Sequence, residues 1–253
     1  MKLAILIPIY NEEKLLRDAV ARLDAVPPPT DPASNERLVR RLVLVDDGST
    51  DGTGAILDEL APRPDVLIVR HPSNKGKGAA LKSALHAALA DGADILLIHD
   101  ADLEYDPADH ASVLEPILSG RADAVIGTRF LGRSHRVLYF WHYAANRLIT
   151  LFSNMLTNLN LSDIECCTKA LTRRVAQQLT ISEPRFGVEP ELIAKLASIR
   201  ISPSDHSSES PRPARIYEVA VSYAGRTYAE GKKITWRDGI SALRCIIVYN
   251  MLR

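Results

Sequence analysis

This chain of 253 residues has no excess of charge of either sign, with 31 Lys+Arg against 31 Asp+Glu. No global field therefore favours nucleic acid, and none is expected as a partner. Cysteine is scarce: Cys166, Cys167 and Cys245 stand at no metal-ligand spacing. An odd count with an adjacent pair predicts reduced, buried thiols in a reducing compartment. No uninterrupted apolar stretch reaches the roughly 18 residues of a membrane span. The apolar run in MKLAILIPIYNEE is short and leads into an acidic helix start, so no signal peptide is predicted. Around Asn74-Lys75-Gly76-Lys77-Gly78 the P-loop pattern is missing, which sets an ATPase aside. Leu81 stands where the third glycine of G-x-G-x-x-G would fall, which argues against a dinucleotide oxidoreductase. These absences predict a cytoplasmic protein, and peripheral attachment to the membrane's cytoplasmic face is compatible with them.

What is present is an ordinary globular composition, 46% hydrophobic and 25% charged. Apolar strand-like runs alternate with helical patterns. Strands are expected at Leu3–Ile9, Leu42–Asp46, Val66–Val69, Ile95–Ile98 and Ala124–Gly127. Helices are expected at Glu12–Val26, Gly52–Leu60 and Gly78–Ala90, then across Arg136–Leu161 and Ile234–Leu252. Such alternation implies an α/β fold, a parallel sheet with helices on both faces that collects ligands beyond the strands' carboxyl ends. Pro27–Glu36 and Ser202–Arg215, rich in Pro, Ser and charge, read as surface loops. One domain over 1–253 is expected.

The strand ends carry the unusual chemistry. Leu96–Asp106 (LLIHDADLEYD) runs an apolar strand into carboxylates. Asp100, Asp102 and Glu104 alternate, so in extended backbone they share a side. Converging acids need a positive partner, and hard oxygen ligands suit Mg²⁺ or Mn²⁺. The plainer reading is an acidic turn, with Asp106 capping a helix that starts at Pro107. After the first strand, Asn11 is placed to cap the next helix, while Tyr10 and Glu12 offer an aromatic face and a carboxylate to a nucleoside. After the second, Asp46 and Asp47 precede a Gly-containing turn. After the third, the glycines at 76 and 78 would let backbone approach a ligand. His99 reads as a satisfied core histidine. The aromatic stretch Val137–Tyr143 fits either helix-on-sheet packing or a bilayer interface.

Four elements in order, Pro-x-Tyr-Asn-Glu at 8–12, Asp-Asp-Gly-Ser at 46–49, Asn-x-Gly-x-Gly at 74–78 and Asp-Ala-Asp at 100–102, resemble family 2 glycosyltransferases of the GT-A fold. Gly127-Thr128-Arg129-Phe130 and the segment Gly225–Lys233 (GRTYAEGKK) are similar to the polyprenyl-phosphate branch, the dolichyl-phosphate mannose and glucose synthases. Two departures stand out. Glu104 replaces a Gln found in many members, and the membrane spans that many carry are absent.

The resemblance implies an inverting transfer of a hexose from a nucleotide-diphosphate sugar, GDP-mannose or UDP-glucose, to a polyprenyl-phosphate lipid. By resemblance Asp102 and Glu104 hold the metal, Asp100 sits beside ribose or sugar, and Asp47 reads the base. Pro8, Tyr10, Asn11 and Glu12, with Lys77 and Ala101, complete the nucleotide-sugar site. Arg226 and Lys232 close over the diphosphate, and Arg129 holds the acceptor phosphate. Asp100, Asp102, Arg129 and Arg226 are the implied catalytic set. Tyr223–Lys233 is expected to act as a lid. Two alternatives remain. One is transfer to a sugar hydroxyl or other soluble acceptor, with Glu189 or Glu191 as base. The other is a nucleotide-sugar-binding protein without catalysis.

Overall fold

The computed structural model describes residues 1–132, 136–137, 139–202, 210–226 and 236–251, with the side chains of 236–238 excluded. The elements run β1 (Lys2–Ile9), α1 (Leu16–Ala25), β2 (Val39–Asp46), α2 (Thr53–Leu60), β3 (Val66–Arg70), α3 (Lys77–Ala90), β4 (Ile95–Ile98), α4 (His110–Leu118) and β5 (Ala124–Thr128). The second half adds α5 (Phe140–Thr157), β6 (Lys169–Thr172), α6 (Arg173–Ala176), α7 (Val188–Ser198), β7 (Arg200–Ile201), β8 (Arg212–Pro213), β9 (Ile216–Ala220) and α8 (Trp236–Met251).

Seven strands form one sheet in the order β3-β2-β1-β4-β6-β5-β9. The runs ILIPI, VLVD and ILLI are buried almost throughout, as strands covered on both faces must be. The expected strands of the first half are all present. β1 pairs parallel with β2 and β4, so Ile9 lies level with Asp46, and Leu6 with Ile98. The reversal of strand order between β1 and β4 opens a crevice at their carboxyl ends, where α/β sheets bind ligands.

The sheet is not wholly parallel. β6 inserts antiparallel between β4 and β5, pairing Ile98 with Lys169 and Ile126 with Lys169. This strand was not expected, because four residues carrying a lysine lack a strand's apolar run. Its effect is to bring the segment before it, residues 163–168, across the ends of β4 and β5.

Pro27–Glu36 is a surface excursion closed by a bridge between Thr30 and Arg37. Of Ser202–Arg215, residues 203–209 lie outside the described set, while Arg212–Pro213 pairs with Arg200–Ile201. The three cysteines are free and buried, as expected. His99 is buried and its Nδ1 lies 3.2 Å from His110 Nε2, in keeping with a core histidine. Among the described residues no helix is long and apolar enough to cross a membrane.

Candidate active site

The strand ends meet in a cleft of about 1020 Å³. Its polar half is walled by Pro8, Tyr10, Glu12, Asp47, Lys77 and the turn Asp100–Glu104. Arg129, Glu165, Tyr223 and Arg226 line it as well, and on the side of α5, α7 and α8 the lining is mostly apolar, Trp141, Ala145, Ile149, Phe186 and Ala242, with His142, Asn146 and Arg185 among them. Of the predicted site residues, Asn11 is not on this wall, and Lys232 lies outside the described residues, as does the stretch 227–233 of the expected lid.

Asn11 has a role other than the expected one. It sits at φ 53°, a conformation Asn tolerates better than most residues. Its Oδ1 accepts from Thr50 N at 2.8 Å, and its own N–H donates to Ser49 Oγ at 3.0 Å. Asn11 thus stitches the end of β1 to the loop after β2, and α1 starts only at Leu16 with no side-chain cap.

Asp47 is buried and already occupied. Its carboxylate accepts from Gly76 N at 2.7 Å and Lys75 N at 3.0 Å, and pairs with His71 Nδ1 at 2.6 Å. It reaches the cleft while fixing the loop that opens α3. That loop's glycines answer to protein rather than ligand. A Cβ on Gly78 would lie 1.9 Å from the Glu183 carbonyl oxygen, so the close approach belongs to the 183–185 segment.

The three acids of the DADLE turn do not form the extended row expected from their alternation. β4 ends at Ile98, and Leu103 takes φ 63°, so a turn arranges them. Asp106 does cap the short 3₁₀ turn at Pro107, accepting from Ala108 N at 2.9 Å. Asp100 pairs with Lys77 Nζ at 2.8 Å. Burial raises the Asp100 carboxyl, but the Lys77 charge and hydrogen bond outweigh it and hold it below its ordinary range. Lys77 also lies 3.1 Å from Glu189 Oε1, and Glu189 is ion-paired with the fully buried Lys169. Asp100, Lys77, Glu189 and Lys169 therefore form one alternating chain of charge, half-buried at Asp100 and Lys77 and buried at Glu189 and Lys169.

Asp102 and Glu104 face Arg226. Nη2 reaches Asp102 Oδ2 at 3.0 Å, and Nε reaches Glu104 Oε1 at 3.2 Å. Tyr223 Oη donates to Glu104 Oε2 at 3.0 Å, and Ala224 N to the Glu104 carbonyl at 2.9 Å. Burial, then the Asp100 and Glu104 charges, push the Asp102 carboxyl up to about 7 despite Arg226. One guanidinium thus leaves the acids short of positive charge, and Asp102 suits a hard cation by this measure. Glu104 suits one less well as it stands, since both its oxygens are engaged. Among the described residues no three His, Cys, Asp or Glu side chains are grouped to hold a metal.

Arg129, just after β5, is half-buried in a bidentate pair with the buried Asp163, Nε–Oδ2 2.6 Å and Nη2–Oδ1 2.8 Å. Asn146 Nδ2 joins Asp163 at 3.2 Å. The guanidinium carbon is 5.1 Å from the Tyr223 ring centre. Nη1 takes no part in this pairing, and the Tyr223 hydroxyl also interacts with the guanidinium. Asp163, Glu165 and Lys169 escaped sequence reasoning. Their signal was charge interrupting an otherwise apolar run, SDIECCTKAL, which is costly unless the charges are paired or functional.

The model of the family described as "Glycosyl transferase family 2" matches residues 4–180. The chain belongs to this family. A polyprenol monophosphomannose synthase of Mycolicibacterium smegmatis is 31% identical over 70% of this chain and 64% of its own length. An undecaprenyl-phosphate mannosyltransferase of Micrococcus luteus is 26% identical over 92% of this chain and 87% of its own. Matches to several curated relatives span only about half to two thirds of their length. Glucosyl-3-phosphoglycerate synthase of Mycobacterium tuberculosis, solved with Mn²⁺, UDP and glucosyl-3-phosphoglycerate, superposes with a TM-score of 0.68 at 18% identity, covering 98% of this chain and 80% of that one. The shared fold is the GT-A fold of family 2 glycosyltransferases.

Proposed function

We propose that this family 2 chain is an inverting, metal-dependent glycosyltransferase, with residues 1–253 as one catalytic unit. It moves a hexose from GDP-mannose or UDP-glucose to a polyprenyl phosphate. The observation that carries this reading is the two-part cleft. A charged half holding Asp102, Arg226 and Arg129 continues into a mostly apolar half lined by Trp141, Ile149, Phe186 and Ala242. A lipid phosphate has the same two parts. The relatives named for transfer to polyprenyl or undecaprenyl phosphate support it.

In this reading the nucleoside lies against Tyr10, Glu12 and Asp47, and Lys77 and Asp100 meet the ribose or sugar. Asp102 would hold the cation, and Glu104 would be the second ligand where it is not engaged by Arg226 and Tyr223. The cation supplies charge neutralisation to the diphosphate. Arg226 stabilises the leaving group as its charge develops. Arg129, fixed by Asp163, orients the acceptor phosphate through Nη1. A phosphate monoester has its second pKa near ~6, so it is largely ionised at neutral pH and needs no protein base. Both base candidates for a hydroxyl acceptor are ion-paired with lysines, which disfavours that role. Glu189 lies between Lys77 and Lys169, and Glu191 accepts from Ser182 N, Glu183 N and Lys195.

The acceptor's membrane is reached along α5. Val137, Trp141, Leu148, Leu151 and Met155 are each more than half exposed, and Ile240 and Met251 on α8 likewise. In sequence Arg133, Arg136 and Arg147 accompany this stretch, and residues 130–162 contain no Asp or Glu. An apolar helix face with basic neighbours fits the surface of an anionic bilayer, at the cytoplasmic side. The deciding experiment incubates the protein with radiolabelled GDP-mannose or UDP-glucose, Mg²⁺ or Mn²⁺ and undecaprenyl or dolichyl phosphate. Label in the organic phase is expected. Label moving only to water-soluble acceptors would overturn the lipid assignment.

A further inference from the structure

Glu165 sits in the loop between α5 and β6, its backbone N–H donating to Asp163 Oδ1 at 3.2 Å. Its side chain lines the cleft near Arg129 and Glu189. Its Oε1 is buried and has no hydrogen-bond partner among the described residues. Glu189 Oε1 likewise makes no hydrogen bond, but it lies 3.1 Å from the Lys77 ammonium, and the other neighbouring acids are each held. Asp47 is held by amides and His71, Asp100 by Lys77, Asp102 and Glu104 by Arg226, and Glu189 by two lysines. Among the described residues Glu165 forms no ion pair.

A buried oxygen without a partner is costly, and native proteins seldom keep one without a use. The ligands proposed for this cleft are a nucleoside diphosphate, an acceptor phosphate and the hexose between them. Both phosphates are anionic and disfavour a carboxylate. The hexose presents hydroxyls, which pair with a carboxyl group whether or not it is protonated. This matters because burial, together with Glu189, raises the group to about 7. The position agrees with the chemistry. Glu165 lines the same cleft as Arg129, on the proposed acceptor side, and Lys77 and Asp100, on the proposed donor side, and it interacts electrostatically with Arg129, Glu189 and Lys169.

We propose that Glu165 hydrogen-bonds a hydroxyl of the transferred hexose and so selects the sugar. This rests on the nucleotide-sugar reading above but not on the lipid acceptor. The test is calorimetric, with Mg²⁺ or Mn²⁺ present and no acceptor. Wild type, Glu165→Gln and Glu165→Ala are titrated with UDP, GDP, UDP-glucose and GDP-mannose, and with the 2-, 3-, 4- and 6-deoxy forms of whichever sugar donor binds. Affinity for the nucleoside diphosphate should stay within twofold in all three proteins. Affinity for the sugar donor should fall tenfold or more in Glu165→Ala, with Glu165→Gln between. One deoxy donor should bind all three proteins equally, marking the hydroxyl that is read.

Equal losses for diphosphate and sugar donor, or equal sensitivity to every deoxy position, would overturn the proposal by making Glu165 structural. Donor affinity unchanged in both variants would overturn it as well, by removing Glu165 from the sugar's contacts. Failure of the wild type to bind either sugar donor would overturn the nucleotide-sugar reading and this inference with it. A donor split without lipid product would remove only the lipid acceptor.

Discussion

Arg226 is tied to Glu104 twice, through its backbone N–H at 2.8 Å and its Nε at 3.2 Å. Its Nη2 reaches Asp102 in the same grip. The guanidinium thus sits on the acids proposed for the cation, and cation and arginine compete until a diphosphate gives Arg226 another partner. This explains a carboxylate at 104. Glutamate holds a waiting arginine by opposite charge as well as hydrogen bonds, where an amide would keep a hydrogen bond and lose the ion pair.

Arg226→Ala should therefore tighten Mn²⁺ binding severalfold in the absence of nucleotide. With cation present it should weaken GDP or UDP binding by about 1.5–3 kcal/mol, the range for a lost charge-assisted contact. Titration followed by Mn²⁺ paramagnetic resonance reads the first effect, and calorimetry the second. Asp102→Asn should nearly abolish transfer, and excess EDTA should do the same. Full turnover in EDTA would remove the cation from the mechanism.

The Arg129–Asp163 pair carries both function and stability. Arg129→Ala should raise the acceptor KM roughly ten- to over a hundredfold while leaving donor affinity near wild type. Removing either partner strands a buried or half-buried charge, so Asp163→Ala should cost about 3–5 kcal/mol in urea unfolding. The double variant Arg129→Met/Asp163→Leu should regain most of that stability and none of the acceptor binding. A double variant as unstable as the single ones would show that the pair's shape, rather than its charge, is what the fold requires.

The buried histidines set an acid limit. Burial lowers His99 to about 4 and also lowers His110, whose His99 neighbour adds to the effect. Between that value and the ordinary ~6.5, the unfolded chain binds protons that the native one excludes. Stability is therefore present above about 6.5 and is lost as pH falls through this window. The slope is at most about 1.4 kcal/mol per pH unit for each histidine. Urea midpoints from pH 7 to 4 should show it, and His99→Asn/His110→Asn should flatten it. An unchanged slope would place the acid lability in other groups.

The first half of the sheet was legible because each strand is an apolar run bounded by turn residues, and local pattern suffices for that. β6 was not, because its lysine is neutralised by Glu189, twenty residues further on, which no local pattern reveals. Asp100 and Asp102 were legible as chemistry and Arg129 and Arg226 only through the family resemblance, and all four line one cleft. Their present partners were not: Arg226 reaches Asp102 across more than a hundred residues, and Asp163 faces Arg129 only because α5 turns back. Asn11 was read as a helix cap, since capping is a local role, whereas its partner Thr50 lies on another strand's loop.

The exposed face of α5 yields the last prediction. Trp141, Leu148 and Met155 recur every seven residues, with Leu151 between the last two, so they share one side of the helix. Leu148 is 63% and Leu151 57% exposed, and replacing them should disturb little packing. Leu148→Glu/Leu151→Glu should therefore leave the thermal midpoint and the nucleotide affinity near wild type. It should sharply reduce co-sedimentation with vesicles containing anionic phospholipid, because it removes apolar contact and adds two charges of the lipid's own sign. Turnover of vesicle-borne polyprenyl phosphate should fall in parallel, while turnover of a short-chain acceptor in solution should persist. Unchanged vesicle binding would move the membrane contact away from α5, and a lower thermal midpoint would show that this face packs within the protein.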